Sequence, residues 1–286
     1  LPISMAWPAI AAARAHDPTT RVPFFIGGHA AGSVAQAHAD ALQRWPAWLR
    51  MAPGRVELIA ADAARDEALA TINHTLRREG LVRAWRDETY AIVSLRTGER
   101  LARTERAASR FWGTLTSGAH ATGYLANEQG RPTHLWIAQR SAHKATDPGL
   151  HDNLIGGGVA DGQSPFEALV REGWEEAGLK PAQMAAARRG RVIRLHRDIP
   201  EGLQLEDLHS FDLLMPAGLL PKNQDGEVAR FDLLPVAQAL ALAAGHSVTV
   251  DAALVTLDFG LRHGLLTAPS GCAALFARPD VGDQMP

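Results

Sequence analysis

Residues 164–178 constrain this chain more than any other stretch, because they specify a helix and both its ends without help from the rest of the molecule. Ser164-Pro165-Phe166-Glu167 has the form of a capping box, with proline at the first helical position. Gly178 suits the left-handed residue that closes a helix. The spacing predicts a helix from Pro165 to about Glu176. At about 100° per residue, with Glu172 at zero, Glu175 falls at about −60° and Glu176 at about +40°. Three carboxylates therefore share one face, and Ala168, at about −40°, leaves that face uncrowded a turn earlier. Phe166, Val170, Trp174 and Ala177 gather between about 120° and about 200° and are expected to form the buried stripe.

Carboxylates three and four residues apart destabilise a helix by a few tenths of a kcal/mol per pair. Glu175 and Glu176 also sit at the carboxyl end, where the helix dipole disfavours anions. Stability alone would place lysine or arginine there. Two readings stay open from the helix itself. One is a solvated acidic face. The other is a set of oxygen donors for a hard cation such as magnesium, which takes a few carboxylates and completes its shell with water and substrate phosphate. Leu154-Ile155 running into Gly156-Gly157-Gly158 brings backbone close to the helix and favours the second.

The whole segment 157–179, GGVADGQSPFEALVREGWEEAGL, resembles the Nudix box: Gly, five residues, Glu, seven residues, then Arg-Glu-U-x-Glu-Glu-x-Gly-U, with U aliphatic. Gly157, Arg171-Glu172, Glu175-Glu176, Gly178 and Leu179 all fall in place. Two positions depart. Gln163 stands where the first glutamate is expected; it offers a carbonyl oxygen but is neutral and cannot act as a base. Gly173 takes an aliphatic position and costs about 1 kcal/mol of helix propensity relative to alanine. Room for Trp174 or a nearby strand is the expected compensation.

The resemblance implies an α/β (α+β) fold: a Nudix α/β/α sandwich with a mixed sheet, preceded here by a small α/β N-terminal domain. It implies metal-dependent hydrolysis of a diphosphate linkage in a nucleoside-diphosphate-like small molecule. The implied cofactor is Mg²⁺, with Mn²⁺ as a substitute, held by Glu172, Glu175 and Glu176 with the Gly157 carbonyl. Glu172 also helps orient or deprotonate water, Arg171 holds the loop and carboxylates, and Glu227 is a further catalytic or metal candidate whose plain alternative is a strand-edge acid.

The likeness extends beyond the box. The stretches LWIAQRS (135–141), KATDPG (144–149), His151-Asp152-Asn153, PKNQDGEV (221–228), Ala253-Leu254-Val255, Leu257-Asp258-Phe259 and Arg262-His263-Gly264 resemble the thiamine-pyrophosphokinase-related Nudix proteins, as do Gly80-Leu81 and Trp85-Arg86-Asp87-Glu88 upstream. That group carries an extra N-terminal domain, and Gln163 is not out of place in it. The implied substrate is thiamine diphosphate or its oxidised or damaged analogues. Another nucleotide such as ADP-ribose is the alternative, and a non-catalytic Nudix-fold binding module is a third reading. Arg140, Lys144, Asn153 and Lys222 are the substrate-binding candidates, set against ordinary surface charge or loop-shaping roles. Arg86, Asp87 and Glu88 are expected to form a local salt-bridged turn, with substrate contact from the N-terminal domain as the alternative.

The 286 residues make about two domains at roughly 150 residues each. The expected division is a leader (1–19), the N-terminal α/β domain (20–108), the catalytic domain (109–266) and a tail (267–286). Residues 62–79 are expected to be helical, with Asp62 as N-cap and Leu69, Ile72 and Leu76 on one face. The polar, arginine-rich segment Arg96–Arg110 is expected to be a linking helix. Lys plus Arg is 29 and Asp plus Glu 31, a net charge of −2, which gives no electrostatic case for nucleic acid or an anionic membrane. No apolar run reaches the roughly 18 residues of a membrane span. The single cysteine, Cys272, forms no intrachain disulfide. The first fifteen residues lack a basic start, and Pro2 and Pro8 interrupt them, so a loose leader and a cytoplasmic location are expected. The expected partner is a small-molecule diphosphate, and a homodimer is one assembly the reading allows.

Overall fold

Four short apolar runs near the amino end become strands: β1 (Arg21–Ile26), β2 (His29–Ala35), β3 (Leu49–Ala52) and β4 (Arg55–Leu58). In the computed structural model, which describes residues 2–276, they pair in the order β2-β1-β4-β3. The helix Arg65–Arg78 lays Leu69, Ile72 and Leu76 on this sheet, against Phe24, Ile26 and Leu58. Asp62 does not cap it. Asp62 lies in a 3₁₀ turn, Asp62–Ala64, and pairs with Arg65 at 2.6 Å. Phe111 and Trp112, expected beyond the domain boundary, pack into this same core. The buried Trp112 indole donates to Asn73 at 2.8 Å, and Asn73 donates to Thr104 at 2.8 Å.

The linking helix expected over Arg96–Arg110 is largely absent. A hairpin of β5 (Thr89–Val93) and β6 (Arg100–Glu105) occupies the region, and only Arg106–Trp112 is helical. Arginines at 100, 103, 106 and 110 imitate one face of a helix. The chain instead turns at Gly98, with φ at +74°, and buries Leu101, Ala102 and Thr104 while Arg100 and Arg103 point outward.

The remaining strands are β7 (Leu115–Ala126), β8 (Pro132–Arg140), β9 (His151–Asp152), β10 (Ile155–Gly158), β11 (Arg188–Ile199), β12 (Gly202–Leu214) and β13 (Val228–Pro235). They form one seven-stranded sheet in the order β11-β12-β7-β8-β13, with β10 added on β7 and β9 on β8. It is mixed, because β12 runs parallel to β7 and the other pairs are antiparallel. The helix Pro165–Ala177 covers one face, setting Leu169 and Ala177 against Ala119, Ala121, Leu154 and Phe211. The helix Val250–Arg262 covers the other, where Leu254 and Leu257 meet Ile193, Leu195 and Leu208, and Phe259 meets Leu135 and Ile137. The expected α/β/α sandwich is therefore present.

The amino-terminal segment is not a loose leader. Trp7, Ala9, Ile10 and Ala13 are buried in the core beneath the helix Val250–Arg262. Thr267 donates its N–H to the Ile3 carbonyl at 3.0 Å, and Cys272 and Leu275 from the expected tail join the same core. Both ends therefore pack on the helix and sheet of the second domain. Residues 277–286 of the expected tail lie outside the described residues. No helix among the described residues is long and apolar enough to cross a membrane.

Candidate active site

The carboxylate helix is built as its sequence dictates. The Ser164 hydroxyl accepts from the Glu167 N–H at 3.2 Å, the Ser164 N–H donates to the Glu167 carboxylate at 2.8 Å, and Gly178 closes the helix at φ +66°. Its rotation differs from expectation. Trp174 and Phe166 are substantially exposed, at 50% and 37%, whereas Glu172 and Glu176 are 7% and 5% exposed. The buried arc is Ala168, Leu169, Glu172, Gly173, Glu176 and Ala177. The helix thus turns its acids inward, and small residues at 168, 173 and 177 let it approach the sheet. A Cβ on Gly173 would meet the Met184 thioether at 2.8 Å, so this glycine makes room for Met184 and not for Trp174.

Each buried acid has been given partners. Glu172 lies against Gly157, in the space a Cβ there would fill, and accepts from Arg171 at 2.9 Å. Glu176 accepts from the Gly156 N–H at 2.8 Å and from Lys144 at 3.2 Å. Burial pushes both carboxyls up to about 7, against the pull of Arg171 on Glu172 and of Lys144 on Glu176. Glu175 stays half-exposed and pairs with Arg171 at 3.0 Å. Arg171 also donates to the Gly158 carbonyl at 3.2 Å, so one guanidinium ties two helix acids to the glycine strand. Lys144 reaches Glu227 at 2.5 Å as well. Burial raises the Glu227 carboxyl, but the bond and charge of Lys144 together with the charges of Arg86 and Arg106 outweigh it and hold the group below the usual range.

Glu172, Glu175 and Gly156–Gly158 line a cleft of about 740 Å³, with Arg171, Lys144, Arg140 and Glu227. His120, Gln204, Glu206 and Asp251 also line it. Glu176 lies just behind the lining. Among the substrate-binding candidates, Lys144 is at the centre of the site. The Arg140 guanidinium is engaged by Asp152 at 2.7 Å and by the Thr146 carbonyl at 2.8 Å, which folds the 140–152 loop. Asn153 is buried, hydrogen-bonded to His120 and Thr256, and holds the strand from behind. Lys222 does not line the cleft; its backbone N–H bonds Ala177 at the helix end.

Arg86 and Glu88 do more than form a local turn. Arg86 reaches Glu227 at 3.3 Å, and Glu88 lies 3.7 Å from Arg171. Asp87 does stay local, accepting from the Trp85 indole at 2.7 Å. The sequence reading also passed over Tyr90 and Arg106, which line the same cleft. The regular spacing of the arginines was a signal, but it reads as a helix until the hairpin is known.

A family model for the "NUDIX domain" matches residues 116–252, and one for a "Domain of unknown function (DUF4743)" matches residues 7–116. A Nudix hydrolase of Deinococcus radiodurans is 31% identical over 123 residues, which are 38% of this chain and 70% of that protein. The chain belongs to the Nudix family. It is also 35% identical to the chloroplastic Nudix hydrolase 24 of Arabidopsis thaliana over 77% of this chain, and spans 60% of that relative's length. A solved Deinococcus radiodurans structure superposes with a TM-score of 0.46 at 25% identity, over 60% of this chain and 99% of that one.

Nudix hydrolases generally use divalent metals such as Mg²⁺, and the donor set here fits one in chemistry. The oxygens of Glu172 and Glu176 are hard donors whose charge burial opposes, so a cation beside them would stabilise the ionised form. Among the described residues no group of three or more His, Cys, Asp or Glu side chains is gathered in ligand geometry. Arg171 and Lys144 supply the neutralising charge instead. Gln163, the Nudix-box departure, lies outside the cleft lining, and its side-chain oxygen is buried without a hydrogen-bond partner.

Proposed function

We propose that this protein is a Mg²⁺-dependent hydrolase of a diphosphate linkage in a small organic diphosphate. The observation that carries the reading is the pair Glu172 and Glu176, buried one helical turn apart against the Gly156–Gly158 strand beside the cleft. Glu172, Glu175, Glu176 and the Gly157 carbonyl would hold the cation. A cation held there would supply Lewis-acid chemistry, lowering the pKa of a bound water and offsetting charge on the phosphoryl oxygens. Arg171 keeps Glu172 and Glu175 in place, and Lys144 does the same for Glu176 and Glu227. Glu172, kept ionised by the cation, would be placed to orient water or accept its proton. Water adds its oxygen to one phosphorus, the bridging bond breaks, and the departing phosphate carries the other product.

The finer substrate assignment is thiamine diphosphate or its oxidised or damaged analogues, giving the monophosphate. It is supported by the run of residues shared with the thiamine-pyrophosphokinase-related group, including those of the N-terminal domain. A panel of thiamine diphosphate, oxidised thiamine diphosphate, ADP-ribose and a dinucleotide, assayed with Mg²⁺ for released phosphate or monophosphate, tests both levels. Turnover concentrated on the thiamine compounds supports the finer reading. Faster turnover of ADP-ribose replaces it and leaves the diphosphate hydrolase. Tight binding with no turnover of any of the four overturns the hydrolase and favours a ligand-binding module.

A further inference from the structure

The domain of unknown function forms a wall of the cleft, and its side chains there are more basic and less satisfied than packing requires. The hairpin β5–β6 is docked on the loop after the glycine strand. The Asp161 N–H donates to the Thr89 carbonyl at 2.8 Å, and its carboxylate takes Arg103 at 2.6 Å and Arg100 at 3.2 Å. This docking sets Tyr90 beside Gly158, its hydroxyl standing where a Cβ on that glycine would lie. Tyr90 is only 4% exposed, yet its hydroxyl makes no hydrogen bond to any described residue, and it lines the cleft. A phenol hydroxyl that opens on the cleft without a protein partner is free to donate to a ligand there. Burial also pushes the phenol well above its usual range, so it remains a neutral donor.

Arg106 converges on the same point. A Cβ on Gly158 would lie 3.2 Å from its guanidinium carbon, which sits 5.6 Å over the Tyr90 ring. Its charge is balanced by Glu88 at 2.8 Å, a pair that keeps 36% and 22% of its side-chain surface exposed. The pair is only partly exposed, and Glu88 also lies 3.7 Å from Arg171, so one carboxylate is shared between two guanidinium groups. The other cations of the cleft, Arg171 and Lys144, are engaged by Glu172, Glu175, Glu176 and Glu227, so an entering phosphate finds further donors in Tyr90 and Arg106.

We infer that Tyr90 and Arg106 are the phosphate clamp of the cleft, with the domain of unknown function supplying half of the substrate-binding site. The guanidinium fork takes two phosphoryl oxygens of a diphosphate in exchange for Glu88, and the phenol donates to a third. The inference rests on the diphosphate reading of the cleft but not on turnover. It is tested with the full-length protein by calorimetric titration of methylene diphosphonate, which cannot be hydrolysed at its bridge, in the presence of Mg²⁺. Losing a charge-assisted contact weakens binding by about 10- to 100-fold. Arg106→Gln should lose affinity to that extent, Arg106→Lys should recover part of it, and Tyr90→Phe should lose about tenfold. Melting temperatures should stay within a few degrees of the wild type. Arg44→Gln, a surface ion pair of the same domain away from the cleft, should bind as the wild type does. With a substrate that turns over, Arg106→Gln and Tyr90→Phe should raise KM more than they lower kcat. Wild-type affinity in both variants would overturn the clamp even if hydrolysis is present. Lost affinity in a protein that hydrolyses nothing would uphold the clamp and remove the hydrolase.

Discussion

The two walls of the cleft solve opposite electrostatic problems. On one side a helix turns three glutamates toward a glycine strand, with two of them buried. On the other, a hairpin and the short helix after it present Tyr90 and Arg106, with Arg86 on the turn before. Ions withdrawn from water are costly unless paired, and the first wall meets that cost inside its own domain, through Arg171 and Lys144. The second is held by pairs that cross between domains: Arg103 to Asp161, Arg86 to Glu227 and Arg110 to Glu206. The contrast separates a site specified locally from one that exists only after the domains have met.

The largest expected effects fall on the first wall. Glu172→Gln and Glu176→Gln should each lower kcat by about a thousandfold, measured as phosphate release, while far-ultraviolet circular dichroism is unchanged. Full activity in both would dissolve the distinction between the walls. Next comes Lys144→Met, which leaves Glu176 and Glu227 without their shared cation. Removing one partner of a buried pair costs about 3 kcal/mol or more, so the chemical denaturation midpoint should drop markedly at pH 8, and less at pH 6 where Glu176 can take up a proton.

The pH dependence follows the same wall. Glu172 and Glu176 have folded values raised from 4.5 to about 7. The folded state therefore holds more protons than the unfolded state between these values, and stability present below 4.5 is lost as pH rises through about 7. Thermal melts in chelator should show a falling Tm over this window, and added Mg²⁺ should raise Tm more at pH 8 than at pH 6. A Tm that rises across the window would contradict the burial of these charges. The smallest effect belongs to the second wall. Asp161→Asn weakens the bonds from Arg100 and Arg103, and should lower stability by about 1 kcal/mol while raising KM more than it changes kcat.

What the sequence disclosed follows the same division. The capping box, the closing Gly178 and the glycines before the helix act over a few residues, and all three are where the spacing places them. The rotation of the helix was misjudged because burial of Trp174 and Phe166 is ordinarily worth more than burial of glutamate. Here the small residues Ala168, Gly173 and Ala177 decide which face approaches the sheet. The hairpin was hidden because residues three apart share a helix face but lie on opposite faces of a regular strand; a register shift between Ile92 and Val93 leaves both Arg100 and Arg103 exposed, and both meet Asp161, about sixty residues away in sequence. Likewise, nothing local marks Trp7 or Ile10 as parts of a core completed by residues beyond 190.

The central claim is that the buried face of the helix is a divalent-cation site. Mn²⁺ binding followed by electron paramagnetic resonance at pH 8 tests it most directly, comparing the wild type with Glu172→Gln and Glu176→Gln. Saturable binding is expected in the wild type, weakened by about tenfold or more in each variant. Mn²⁺ bound equally by all three proteins would contradict it.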